Sequence, residues 1–277
     1  MTIKLWVLRP LFGLVVFGVL FGGLELMFGV RKAWVWFRRG FGTDVMYLFL
    51  SPLVRGFSRV ALLVPALVLI GAEVTSVGEL RSGLYAGFGP VGAQPKWLQG
   101  VEVMLLADLL GYWVHRWFHR AWQWRFHAVH HSSETLDWLA SVRVHPFNEL
   151  MNRLVQATPI LLLGFDPRVA ILSAPLLTLY AVGLHADLDW DFGPLRGVFA
   201  SPVFHRWHHS SEPAALDKNF AGLFPVWDIL FGTYYMPEGV RPRRFGTLEP
   251  VPEGIFSQLA YPLRGGVGGG RRDLAEG

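Results

Sequence analysis

All ten histidines of this 277-residue chain lie between His115 and His209, and any fold for it has to account for that crowding. Five stand in Asp108–His131, DLLGYWVHRWFHRAWQWRFHAVHH: His115, His119, His127, His130 and His131. Three more, His205, His208 and His209, stand in FHRWHHS at Phe204–Ser210, with His145 and His185 single between them. Residues three or four apart share a helix face, so each group presents a tight set of imidazoles if its segment is helical. A lone histidine on an apolar helix is most simply a core residue with a satisfied ring. Three groups at ligand spacing, with no histidine elsewhere, point instead to metal. A catalytic zinc takes three protein ligands and a structural zinc four, so eight or nine imidazoles exceed one ion's needs and a two-metal site is the natural count. Imidazole suits iron, zinc, copper and nickel alike, which leaves the metal open.

The remainder is too apolar for an ordinary soluble domain, with 52% hydrophobic and 17% charged residues. Twelve Trp and 21 Phe fit a protein with much surface at a bilayer interface. The absence of cysteine excludes disulfides, Cys-ligated zinc and iron–sulfur clusters. Arg31, Lys32, Arg38 and Arg39 flank apolar runs, which favours a membrane face over nucleic acid.

The apolar run Leu11–Val30 has the length of a spanning helix. No small-residue cleavage pattern follows it, so it reads as a retained span. Arg31–Phe57 mixes basic, aromatic and apolar residues and reads as an interfacial segment. Ser58–Val77 is the second expected span, Gly78–Lys96 a loop and Trp97–Val114 the third span. Glu102 and Asp108 lie in that third span, where ionisable groups usually face the bundle interior. Asp108 is two turns before His115 on the same face, a candidate ligand or a partner for a ring N–H. The run 154–184 is broken at Gly164-Phe165-Asp166-Pro167 and reads as a helical hairpin.

Sidedness then tests the metal reading. With the basic cluster in the cytoplasm, the second span exits and the third returns. His115 to His145 then lie inside, and the hairpin brings His185 and His205–His209 to the same face. The expected fold is all-α: an integral-membrane helical bundle with a cytoplasmic, histidine-lined di-metal cap. Residues 1–96 form the N-terminal spans and interfacial segment, 97–240 the catalytic region, and 241–277 a C-terminal extension whose end, from Arg264, reads as disordered. Arginine outnumbers lysine, a bias attributed to a GC-rich bacterial genome, and the expected location is a bacterial inner membrane.

At its motifs the chain resembles the fatty acid hydroxylase / sterol desaturase superfamily of integral-membrane di-iron enzymes. The resemblance covers roughly Leu105–Pro237 and rests on DLLGYWVHRWFH, FHAVHHSS, VRVHPFNEL, GLHADL, GPLRGVFASPVFHRWHHS and DKNFAGLFPVWDILFGTYYMP. HxxxH, HxxHH and HxxHH in this order form a specific combination, though each alone is weak. The resemblance implies that His115, His119, His127, His130, His131, His205, His208 and His209 are ligands, with His185 the ninth. His145 matches a family position and is expected to line the pocket or support a ligand. Asp187 stands where many relatives have Asn. Asp217, Asn219, Trp227 and Asp228 match the terminal signature, with Asp228 a candidate to orient a ring.

Breaking an unactivated C–H bond needs an oxidant that side chains cannot supply and that a redox metal with O2 can. The expected reaction is therefore O2-dependent hydroxylation or desaturation of a fatty acyl, sterol-like or other isoprenoid lipid, with two irons and zinc as a substitute occupant. The chain lacks a dinucleotide fingerprint, because Gly265–Gly270 follows no strand. A separate electron donor is implied: a ferredoxin, a cytochrome or a flavin reductase. A zinc-dependent membrane hydrolase would want an HExxH-type base, which is absent. A metal transporter would place ionisable groups through the membrane and not at the span ends.

Overall fold

The computed structural model describes residues 3–31, 38–70 and 87–264. Among these there is no β-strand, only the isolated bridges Gly29–Leu188 and Ser210–Phe245. Two long apolar helices open the chain, α1 (Ile3–Phe28) and α2 (Phe41–Ile70). Then come α3 (Lys96–Phe118), the short α4 (Trp124–His131), and the hairpin α5 (Pro146–Leu162) and α6 (Pro167–His185). Three short helices complete the cap: α7 (Pro202–His208), α8 (Val226–Leu230) and α9 (Ile255–Ala260).

Local chemistry sets where the later helices start. His145, Asp166 and Ser201 each accept a backbone N–H of the first turn through the side chain, and Pro146, Pro167 and Pro202 follow directly. Proline at the first helical position has φ preset and lacks only an N–H that would be orphaned anyway. The α5–α6 hairpin turns at Gly164, whose φ is +88°. A β-carbon there would meet the Phe88 carbonyl oxygen at 2.3 Å, and Phe88 N–H donates to the Gly164 carbonyl, so only glycine admits this approach.

Among the described residues three helices are long and apolar enough to cross a membrane: Val7–Phe28, Phe41–Leu62 and Pro167–His185. Their outer faces carry bare hydrophobics; Phe12 is 72% exposed, Val19 74% and Leu172 78%. The second span therefore begins at Phe41 and not at Ser58. Gly40, at φ +83°, makes the turn that starts it, and Pro52 lies inside the helix without ending it. Most of the segment expected to lie along the interface is thus helical span; residues 32–37 and the end of the run, 71–77, lie outside the described residues. The third expected span is the helix α3, but Gln99, Glu102 and Asp108 interrupt its apolar run and it is not among the three. The tail from Gly265 also lies outside the described residues.

The bundle's two ends are identified by their bonds. At one end Gln99 of α3 accepts from Asp166 N–H, and Lys96 pairs with Asp166 before α6. Val103 and Ala107 of α3 pack there on Ile160 of α5 and Phe165. At the other end meet the C-termini of α1, α3 and α6 and the N-termini of α2 and α5. Arg31, after α1, pairs with Asp187, after α6, at 3.0 Å. Asp44 in the first turn of α2 pairs with Arg143 at 2.5 Å, just ahead of α5. The α5–α6 hairpin thus returns the chain to the end it left, and every histidine group lies there.

Candidate metal centre

Nine rings gather into two adjoining groups. His115, His119, His127, His131 and His208 form the first, His130, His185, His205 and His209 the second. Within each group the nitrogens lie within 4.8 Å of one another. The groups touch through His131 and His209, whose rings stack at 4.4 Å.

The two HxxHH motifs are used in opposite senses. On α4 the pair at i and i+4, His127 and His131, serves the first group, and His130 turns to the second. On α7 and at its C-cap, His205 and His209 serve the second group, and His208 turns to the first. The HxxxH at the end of α3 completes the first group, and His185, the last residue of α6, completes the second.

Ring orientation is set from behind. His115 donates through Nδ1 to Phe220 O at 2.7 Å, His208 to Lys218 O at 2.8 Å, His130 to Arg143 O at 3.0 Å and His185 to Ala181 O at 2.8 Å. Asn148 Oδ1 takes the same role for His127 at 2.7 Å, and Asp217 for His119 at 3.0 Å. A carbonyl can only accept, so each such ring carries its proton on Nδ1 and leaves Nε2 as a bare lone pair.

Those lone pairs face one another. Nε2–Nε2 separations are 2.9 Å for His115–His127 and 3.2 Å for His130–His185. Two acceptors at such distances repel unless a cation lies between them. A shared proton is disfavoured, because burial pushes His127, His130, His131, His205 and His209 well below the ordinary imidazole range. Metal–nitrogen bonds of about 2.0–2.1 Å would reproduce these spacings at ligand angles of roughly 90–105°. The donor set therefore fits metal in both groups.

The other residues singled out by sequence stand one step further back. Asp108 lines the cavity beside the rings, yet its oxygens accept from Gly222, Leu223 and Phe224 N–H at 2.7–3.0 Å. Asp228 accepts from Phe220 N–H, Ala221 N–H and the Thr233 hydroxyl. Asn219 donates to Phe204 O and Tyr235 O and accepts from Tyr235 N–H. None of the three reaches a ring. They shape the loop whose Lys218 and Phe220 carbonyls do, with Asp217 and Asn219 at φ +57° and +58° to aim them. His145 stands outside both groups, capping α5 and reaching Leu259 O at 3.3 Å. Asp187 turns away from the rings to pair with Arg31 and with Arg206 at 2.8 Å.

Sequence reasoning missed four supporting residues. Asn148 lies within VRVHPFNEL, three residues after His145. Arg143 holds His130 through its carbonyl, and its guanidinium pairs with buried Asp44. Glu25, in α1, accepts N–H bonds from Trp138 and Asp187, both at 2.9 Å. An acidic residue inside Leu11–Val30 was the available signal for Glu25, since such groups in spans face the interior.

Residues 100–233 match the family model of the fatty acid hydroxylases. Over 191 residues, 69% of this chain, it is 31% identical to ornithine lipid hydroxylase OlsE of Rhizobium tropici, covering 57% of that protein. It is 34% identical over 128 residues to alkylglycerol monooxygenase of Danio rerio, 46% of this chain and 28% of that one. It is 29% identical to very-long-chain aldehyde decarbonylase GL1-6 of Oryza sativa subsp. indica, over 46% of this chain and 21% of that one. The chain thus spans little more than half the length of the first of these relatives and under a third of the others. No solved structure matches it. The shared region carries all nine clustered histidines and is a fatty acid hydroxylase domain.

Proposed function

We propose that this chain is a membrane-bound di-iron oxygenase that uses O2 to hydroxylate or desaturate a C–H bond of a lipid. The observation that carries the reading is the pair of buried ring groups set where membrane-length helices end. Five nitrogens in one group exceed the four that tetrahedral zinc takes, which favours iron over zinc. We propose the nine clustered histidines as the ligands, His115, His119, His127, His131 and His208 for one ion and His130, His185, His205 and His209 for the other.

Bound iron would supply the redox chemistry with O2 that no side chain offers. Hydroxylation takes one O2, two electrons and two protons per C–H bond, and yields an alcohol and water; desaturation takes the same inputs and yields an alkene and two waters. The residues themselves hold and orient. Nδ1–H bonds to carbonyl oxygens fix the tautomers of His115, His127, His130, His185 and His208, and the apolar shell of Tyr112, Phe204, Trp207 and Phe220 keeps water away. The electrons require a separate donor, such as a ferredoxin, cytochrome or flavin reductase. We place the site on the cytoplasmic side of a bacterial inner membrane, because Arg31, Arg38 and Arg39 lie at the site end of the bundle.

The relatives' names, ornithine lipid hydroxylase and alkylglycerol monooxygenase, support a lipid substrate. The test is metal analysis of the purified protein together with O2 uptake. Two irons per chain and lipid-dependent O2 consumption are expected; zinc with lipid hydrolysis and no O2 uptake would replace this reading.

A further inference from the structure

The cavity that reaches both ring groups has one polar wall. Its volume is about 270 Å³, and His115, His127 and His130 line its inner end. Leu177, Tyr180 and Ala181 of the spanning helix α6 line its side, so the cavity lies against a membrane-crossing element. The facing wall is α5, which turns Asn148, Asn152 and Gln156 into the same space. Positions four apart share a face, so these amides form a ladder leading away from the rings, about 6 Å per step.

Most polar side chains lining this cavity already have their bonds. Asp108 is taken by three backbone N–H groups, Tyr180 donates to Ala200 O, and Asn148 Oδ1 is held by His127. Asn152 and Gln156 differ. Gln156 Nε2 donates to Asn152 Oδ1 at 3.2 Å, which orients both amides and commits one half of each. The other halves, a donor on Asn152 and an acceptor on Gln156, belong to side chains that line the cavity and are only partly buried. Gly111 on α3 makes the room, because a β-carbon there would meet Gln156 Nε2 at 2.9 Å.

We propose that Asn152 and Gln156 form a subsite for an uncharged group of the substrate that both donates and accepts a hydrogen bond, a hydroxyl or a secondary amide. This rests on the oxygenase reading only in calling the ligand a substrate. A charged headgroup has no unpaired counter-charge in this wall, and a plain hydrocarbon would leave the free halves of both amides without a partner. The ladder also sets regiochemistry: the carbon presented to the rings lies within about 12 Å of the polar group.

The test compares binding of N-methylhexadecanamide and octadecane to the metal-loaded protein in micelles, read by native mass spectrometry. Wild type is expected to bind the amide at least tenfold tighter. Asn152→Leu/Gln156→Leu should bring the ratio within twofold. Equal affinities in wild type, or an undiminished ratio in the double variant, overturn the subsite. If the double variant fails to fold, Gln156→Met alone must lower the ratio at least threefold, and an unchanged ratio overturns it equally. Discrimination in binding with no O2 uptake on either lipid would retain the subsite and remove the oxygenase reading. Equal binding with O2-dependent oxidation of both lipids would do the reverse.

Discussion

The two histidine groups are built from the same motifs but held by different parts of the molecule. The first has five rings, opens to the cavity through His115 and His127, and is backed by Asn148 and by the loop around Lys218–Phe220. The second has four rings, meets the cavity through His130 alone, and is backed by Arg143 and Ala181 carbonyls. Behind Arg143 stands a buried ionic lattice. Asp44 joins Arg143 and Arg38, and Arg38 forks onto Asp137 at 2.5 and 2.7 Å. An ionic lattice therefore stands behind one group, and loop carbonyls, the Asn148 amide and the Asp217 carboxylate stand behind the other.

The largest effect should come from removing one ring. His130→Ala leaves three nitrogens in the second group and should drop bound metal from two ions to one per chain, with activity down at least a hundredfold. His131→Ala leaves four in the first group and should keep both ions. Metal analysis that found equal losses would erase the distinction between the groups.

Next in size is Asp44→Ala. It strands the buried Arg143 guanidinium, while Arg38 keeps Asp137, and breaking a buried pair in this way costs about 3–5 kcal/mol. Thermal unfolding should show that loss, and the second metal should leave before the first. Loss of both ions together would mean that the lattice supports the whole cap and not one side of it.

Acidification sharpens the contrast between metal-bound and metal-free protein. His127, His130, His131, His205 and His209 are held below their unfolded value of about 6.5 by burial. Between the folded and unfolded values the unfolded chain binds more protons, so stability is present above about pH 6.5 and falls below it. Each such ring contributes about 1.4 kcal/mol per pH unit. The melting midpoint of the metal-free protein should therefore fall steeply from pH 7 to 5. A flat profile would mean that these rings are not buried neutral.

The smallest effect belongs to Asn148→Ala, which removes the acceptor behind His127. Loss of such a partner typically costs 10–100-fold in metal affinity. Competition with a chelator should show the first ion weakened and the second unchanged.

Much of this arrangement was legible in the residues. Gly164-Phe165-Asp166-Pro167 announced the hairpin, and the hairpin forces the ring groups onto one end. The start of the second span was hidden because Arg38 and Arg39 look interfacial, whereas Arg38 is folded into an ion pair with Asp44 and Asp137. From sequence alone Asp108 and Asp228 read as partners of rings, and Asn219 as part of the same terminal signature. Acidic and amide side chains near a metal motif are equally suited to hold backbone N–H groups, and composition does not separate the two roles.

Spacing alone determined that the histidines fall on shared helix faces and that more than one ion's worth of nitrogen is available. It could not divide nine rings into five and four. Along α4, His130 and His131 are rotated by about 60° and 40° to opposite sides of His127 at 100° per residue, so either neighbour could join it. Which does so depends on how α4 docks against α3, α6 and α7, and that rotation is a property of packing between elements far apart in the chain.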